Sequence, residues 1–106
     1  MALMQLTIIP LGTETPSVGE YVADIQQALE EANVHFQLND MGTLIEGEAQ
    51  ELLRLVARLY ELPFQRGARR VVTQIVMDDR RDKHVGIGDK IDAVQKRMKA
   101  QKVAES

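Results

Sequence analysis

The chain carries few side chains that could perform chemistry, and they do not form a catalytic set. Its 106 residues include no cysteine, which excludes a thiol nucleophile and a thiolate metal site. The two histidines, His35 and His84, are far apart and lack the spacing of a zinc-binding pair. We therefore interpret both as strand-flank or loop residues, and we expect no metal, no cofactor and no enzymatic activity.

Two further segments resemble binding motifs only in part. Asp78-Asp79-Arg80-Arg81-Asp82-Lys83 groups carboxylates as a hard-cation site would, but its basic residues largely cancel their charge. A solvated ion-pair loop is the better interpretation. Gly86-Ile87-Gly88 precedes a helix, yet it lacks the remaining glycines and the lysine of a phosphate-binding loop.

The most informative stretch is Gly42-Thr43-Leu44-Ile45-Glu46-Gly47, where a hydroxyl and a carboxylate stand between two glycines. One interpretation makes Gly42 a turn residue, Thr43 a β-former and Glu46 a helper of the first amides of the next helix. Thr43 and Glu46 also have capping-box spacing, although we place Thr43 in a strand. The other interpretation makes the stretch one wall of a small-molecule site.

The first half of the chain predicts a strand, a helix and a hairpin. Residues 3–9 alternate between apolar and polar until Pro10 and Gly12 end the strand. A helix begins at Ser17, which forms a capping box with Glu20, and it ends at Asn33 in the left-handed conformation. Its apolar stripe leaves Gln26 and Gln27 outside. Residues 35–39 and 43–46 then form a hairpin around a loop of about three residues, 40–42.

The second half predicts a helix, a strand and a last helix. The helix runs from Gly47-Glu48 to Pro63, which ends it. The strand at residues 70–77 is rich in β-branched residues, with apolar side chains on both faces, which suggests burial on both sides. The last helix covers about residues 88–101, with an apolar stripe at Ile87, Ile91, Val94 and Met98, and residues 103–106 fray.

This order predicts a single α+β domain over residues 1–106 with the ferredoxin-like βαββαβ arrangement and an added C-terminal helix. Two right-handed crossovers place two helices on one face of a four-stranded antiparallel sheet. The other face would then expose Ile9, Ile45 and valines of the fourth strand beside Gln5, Thr7 and Gln37. Such a face indicates homo-oligomerisation, as a dimer or tetramer through sheet faces or edges.

The composition argues against a nucleic-acid partner, a membrane span and secretion. The net charge of -3 gives no electrostatic reason to expect a nucleic-acid partner. The strand at residues 43–46 also lacks the aromatic side chains on which RNA-recognition domains stack bases. No apolar run approaches the length of a membrane helix, and the start has no signal-peptide pattern. A cytoplasmic location follows by default.

Three segments resemble the small thiamine-binding protein family. Met41-Gly42-Thr43-Leu44-Ile45-Glu46-Gly47-Glu48 is similar to the signature of that family. Ile9-Pro10-Leu11-Gly12, followed by Ser17, resembles its first strand and helix entry, and Arg70-Val71-Val72-Thr73 with the charged loop resembles its fourth strand. The resemblance spans about residues 4–98. Asp40 is a departure, since a small residue or proline is expected before the methionine.

The resemblance implies a ferredoxin-like protein that forms dimers and tetramers and binds thiamine, or its pyrimidine half, as a ligand rather than a cofactor. The implied ligand-binding residues are Gly42, Thr43, Glu46, Gly12, Ser17 and Thr7. Glu46 would accept from the exocyclic amine or offset the thiazolium cation, and Thr43 would use its hydroxyl. Gly42 would allow close approach of the ring, with Gly12 and Ser17 on the other side.

The combined interpretation is a non-enzymatic thiamine-binding protein that acts as a homo-oligomer. One alternative is a homo-oligomeric regulatory or interaction domain with no dedicated ligand. A less favoured alternative is a small enzyme that uses Glu46 or Asp78 as an acid or base.

Overall fold

The computed structural model describes residues 1–13 and 18–105. The elements are β1 (Ala2–Leu11), α1 (Gly19–Glu31), β2 (His35–Asn39), β3 (Gly42–Gly47), α2 (Ala49–Leu59), α3 (Leu62–Gln65), β4 (Arg70–Asp79) and α4 (Asp89–Glu105). No helix in these two stretches is long and apolar enough to cross a membrane.

The four strands form one antiparallel sheet in the order β2-β3-β1-β4. β1 therefore lies between β3 and β4, and the connections through α1 and α2 cross over the sheet. This arrangement confirms the predicted ferredoxin-like fold with its C-terminal helix.

The core lies between one face of the sheet and the apolar stripes of α1 and α2. Met4 and Leu6 of β1 and Ile45 of β3 point into it, as the alternation along each strand requires. The helices contribute Ile25, Leu29, Leu52, Leu55, Val56 and Leu59. We refer to this side as the helix face and to the opposite side as the open face.

Pro10 does not end the first strand, contrary to the prediction. It lies inside β1, opposite Val71 of β4. Pairing between β1 and β3 stops at Leu6 and Thr43, so Pro10 lies in a part of β1 that has a strand neighbour on one side only. Proline is tolerated there because the missing N–H does not interrupt a ladder on both sides.

The first helix begins at Gly19, and Val18 at the N-cap position makes no side-chain cap. Ser17, the predicted cap, lies outside the described residues. The prediction for Asn33 is confirmed, because its φ is 57° and its N–H donates to the Glu30 carbonyl.

Three predicted boundaries in the middle and end of the chain are wrong. The hairpin turn has two residues, Asp40 and Met41, because Asn39 pairs with Gly42. The second long helix ends at Leu59, and Pro63 lies in the first turn of α3, where its missing N–H is harmless. Residues 103–105 continue α4 instead of fraying.

The structure corrects two predictions about the faces of the sheet: the side on which Ile45 lies, and the burial of β4. Ile45 is fully buried on the helix face, and its neighbour Glu46 takes the open face. β4 is not buried on both sides within one chain, because Val76 is 67% exposed on the open face and Ile75 is 42% exposed on the other.

α4 extends away from the rest of the chain. None of its residues is buried, and its predicted stripe, Ile91, Val94 and Met98, is exposed. The Cα radius of gyration is 17.0 Å, whereas a compact chain of this length has about 13 Å. The helix therefore presents an apolar stripe that none of the described residues covers.

Candidate ligand-binding site

A cavity of about 310 Å³ lies where the hairpin turn, the end of β1 and the first half of α1 meet. Thr7, Gly42 and Thr43, three of the six predicted site residues, line it. The rest of the wall is mainly apolar, with Ile8, Val22, Ile25 and Leu38 among its residues. The volume is at the lower end of the range of about 300–1,000 Å³ that small-molecule sites occupy.

The cavity exists because β3 is shorter than β1. β3 pairs with β1 only from Ala2 to Leu6, while β4 accompanies β1 as far as Leu11. From Thr7 onward, the edge of β1 that faces β3 has no strand neighbour, and the turn of the hairpin lies beside it. Backbone polar groups at such an edge can bind a ligand.

At Gly42 the hairpin lies close against β1. A Cβ at this position would lie 3.0 Å from Thr7 Oγ1 and 3.2 Å from the Leu6 carbonyl oxygen. Thr7 Oγ1 in turn donates to the Met41 carbonyl at 3.4 Å. Gly42 therefore permits the contact that forms one rim of the cavity.

Thr43 and Gln26 supply polar groups to the cavity wall. Thr43 is buried on the helix face, and its Oγ1 accepts a hydrogen bond from Gln26 Nε2 at 3.0 Å. Gln26 Oε1 is buried and has no hydrogen-bond partner among the described residues. Sequence reasoning missed Gln26 and placed it outside the stripe, although it lies four residues after Val22 and three before Leu29, which is the spacing of one helix face.

Asp40 is the charged side chain among the described residues that line the cavity. It lies in the exposed two-residue turn, at the solvent side of the site. A cationic ligand group at this rim would meet a carboxylate, whereas the interior is mostly apolar.

Glu46 lies away from this cavity, on the open face of β3. Its Oε1 accepts from the backbone N–H of Ile87 at 2.8 Å, and its Oε2 lies 3.3 Å from His35 Nδ1. The hydrogen bond from Ile87 is the main cause that lowers the pKa of Glu46 below its ordinary value, and His35 contributes in the same direction against the effect of burial. The side chain is only 14% exposed, and each of its carboxylate oxygens has one of these contacts within the chain.

The segment that Glu46 holds leads directly into α4. A Cβ on Gly86 would lie 2.6 Å from Glu46 Oε1, so only glycine fits there without displacing the carboxylate. The Gly86 N–H donates to Asp89 Oδ2 at 2.7 Å, and Lys90 pairs with Asp78 at 3.1 Å. Glu46, Gly86 and Ile87 therefore fasten the start of the C-terminal helix to the sheet. We call this set the C-terminal clamp.

The other predicted residues that the structure describes fall elsewhere, and Ser17 lies outside the described residues. Gly12 has a φ of 70° at the end of β1 and does not line the cavity. The charged segment after β4 contains ion pairs as expected, with Arg80 bound to Asp82 and Arg81 to Asp79. Within residues 1–13 and 18–105, no group of three or more acidic, histidine or cysteine side chains is arranged to hold a metal ion.

Comparison with known proteins identifies the relatives of this chain. The family model described as thiamine-binding protein matches residues 4–95. The chain belongs to the thiamine-binding protein family. It is 49% identical to the UPF0045 protein YqgV of Bacillus subtilis over 102 residues, which cover 92% of this chain and 98% of that protein.

A UPF0045 protein of Methanothermobacter thermautotrophicus is 40% identical over 99 residues, covering 92% of this chain and all of the other. Among solved structures, the hypothetical protein MJ1052 of Methanocaldococcus jannaschii superposes with a TM-score of 0.78 at 29% identity, covering 89% of this chain and 95% of that one. The thiamine-binding family confirms the resemblance seen in the sequence, and its name describes binding rather than catalysis.

Proposed function

We propose that this chain binds thiamine, or the aminopyrimidine part of it, in the cavity between β1, the hairpin turn and α1, and that it does so without catalysis. The observation that carries the proposal is the cavity itself, which gathers Thr7, Gly42 and Thr43 in a member of the thiamine-binding family. An apolar enclosure with a few convergent polar groups is the usual form of a small-molecule site.

The chemistry of thiamine suits this enclosure. Its aminopyrimidine is a flat ring with hydrogen-bond donors and acceptors on its edge, and the apolar wall favours burial of its faces. Its thiazolium carries a permanent positive charge, which is best placed at the solvent side near Asp40. Gly12 and Ser17 stay predicted contacts from the segment between β1 and α1.

Glu46 has a different role in this proposal. Both its oxygens are engaged by Ile87 and His35 on the open face, so a ligand would have to displace internal contacts to reach them. We therefore assign Glu46 to the C-terminal clamp and not to the ligand. The same engagement argues against the enzyme hypothesis that makes Glu46 an acid or base.

Self-association is the second part of the proposal. The open face exposes Val76 and Ile9, and α4 exposes an apolar stripe that the rest of the described chain leaves uncovered. Exposed apolar surfaces of this kind mark association sites. We expect a cytoplasmic homodimer or homotetramer, and Val76→Glu should lower its mass in sedimentation, whereas Ala23→Glu on the outer side of α1 should not.

A thermal-shift screen followed by calorimetric titration tests the ligand. A ligand that binds only the folded state raises the melting temperature by mass action. Thiamine and its aminopyrimidine alcohol should stabilise the protein, while nucleotides and amino acids should not. If no compound raises the melting temperature, the proposal is refuted and a homo-oligomeric interaction domain without a ligand is favoured. Turnover of a bound compound would refute the non-enzymatic assignment.

A further inference from the structure

We propose that Gln26 determines which ligands the cavity accepts, by receiving a hydrogen bond from an amine on a planar nitrogen heterocycle. This inference rests on the proposed function, because it names the polar contact of the same site. The main-chain and side-chain geometry of α1 and β3 supports it.

The first argument is the unsatisfied amide oxygen. Buried polar atoms nearly always have a hydrogen-bond partner, because an unpaired one loses its interaction with water and gains nothing in return. Gln26 Oε1 is buried without a partner among the described residues, on a side chain that belongs to the cavity wall. An N–H brought by a ligand would supply the missing partner.

The second argument is that Thr43 holds the amide in place. Gln26 Nε2 donates to Thr43 Oγ1 at 3.0 Å, and Thr43 is itself buried on the helix face of the sheet. The terminal torsion of glutamine is soft, so the amide can adjust its orientation toward a ligand in the cavity. The amide then needs little ordering when the ligand binds.

The third argument concerns the chemical class of the ligand. A primary amide offers an acceptor and a donor side by side, and Nε2 keeps a second hydrogen after it donates to Thr43. An aromatic ring nitrogen next to an exocyclic amine offers the complementary pair, as adenine does to glutamine in nucleic-acid recognition. Rings without the amine would leave Oε1 unpaired, as it is in the ligand-free protein, and should bind more weakly.

The test is a calorimetric comparison of thiamine with the analogue in which hydrogen replaces the exocyclic amine. The wild type should bind thiamine at least about tenfold more tightly than the analogue. The variant Gln26→Leu with Thr43→Val removes both partners of the internal hydrogen bond together with the unpaired oxygen. It should therefore melt at an unchanged or higher temperature, while it binds the two ligands equally weakly.

A purely structural role for Gln26 would give a different pattern. The double variant would then melt at a lower temperature and still prefer thiamine to the analogue, which would overturn the inference. Gln27→Leu, on the neighbouring exposed position, is the matched control and should behave as the wild type. If the double variant does not fold, Gln26→Asn shortens the amide by one methylene and should also lose the preference.

The outcome separates this inference from the proposed function. If the wild type binds neither thiamine nor its aminopyrimidine alcohol, the proposed function fails. If the wild type binds thiamine but the variants keep the full preference for the amine, only the role of Gln26 is refuted.

Discussion

Each end of β3 has a glycine beside a polar residue, Gly42-Thr43 at one end and Glu46-Gly47 at the other, but the two ends differ in structure. At one end, Gly42 and Thr43 border a cavity, and the amide that contacts Thr43 keeps an unpaired oxygen. At the other end, Glu46 has both oxygens occupied by its own chain and sits against Gly86. An unpaired hydrogen-bonding atom beside a cavity indicates a ligand-binding site. A carboxylate that is already paired with a backbone segment indicates a structural contact.

The difference follows from the alternation of a strand. Thr43 and Glu46 are three residues apart, so their side chains must point to opposite faces of the sheet. Under the proposed function, the signature combines two roles in one short strand: a ligand wall on the helix face and a clamp for the C-terminal helix on the open face.

The largest expected effect comes from filling the cavity. Val22→Phe adds a ring to the wall of α1 that faces the hairpin, and it should weaken thiamine binding by at least about 100-fold because the ligand and the ring would occupy the same space. Calorimetric titration measures the loss. Ala23→Phe, on the exposed side of the same turn, is the control, and an equal loss in both variants would mean that the ligand does not enter this cavity.

The clamp should affect stability and leave binding unchanged. Glu46→Ala should lower the free energy of unfolding by about 1–3 kcal/mol, because it removes a charge-assisted acceptor from the Ile87 amide. Gly86→Ala should do the same by crowding the carboxylate. Denaturant titration checks both values.

A double-mutant comparison sharpens that prediction. In the Glu46→Ala background, the carboxylate that a Cβ at Gly86 would crowd is absent. Gly86→Ala should therefore lower the free energy of unfolding only slightly in that background. Fully additive losses would contradict the clamp. Gly88→Ala is a useful contrast, since nothing lies within 4 Å of its Cβ position and its φ of 93° penalises alanine in either background.

The smallest effect is the pH dependence of the clamp. The pKa of Glu46 is lowered by folding, so its contribution to stability is present above the ordinary value of 4.5 and is lost as the pH falls through the lowered value. Asp24, whose pKa is lowered by Arg66, acts in the same direction. The difference in unfolding free energy between the wild type and Glu46→Gln isolates Glu46 and should shrink below pH 4.5. A difference that is constant with pH would contradict the assignment.

Much of the fold was predictable because its signals are local. The period of two in β1, the helical stripe of α1 and the left-handed Asn33 each depend on a few neighbouring residues. The continuation of β1 through Pro10 depends on where a distant strand stops, so no local pattern could give it. The C-terminal end of α4 was missed because frayed and helical tails have similar compositions.

The site was predictable in part for the same reason. The resemblance brought Thr7, Gly42 and Thr43 to attention, and the structure places these three at one cavity. The alternation of the strand already implied that Glu46 could not share that face, but the Ile87 amide that occupies it lies 41 residues further along the chain. Gln26 was visible only as a polar residue at helical spacing, and its significance depends on a contact between α1 and β3.

The division of β3 into a binding end and a clamp end is tested most directly by titrating thiamine into the wild type and Glu46→Gln side by side at neutral pH. The account predicts that both proteins bind with dissociation constants within about twofold of each other, while the variant unfolds at a lower denaturant concentration. A variant with unchanged stability and a loss of affinity of about tenfold or more would place Glu46 at the ligand and contradict the account.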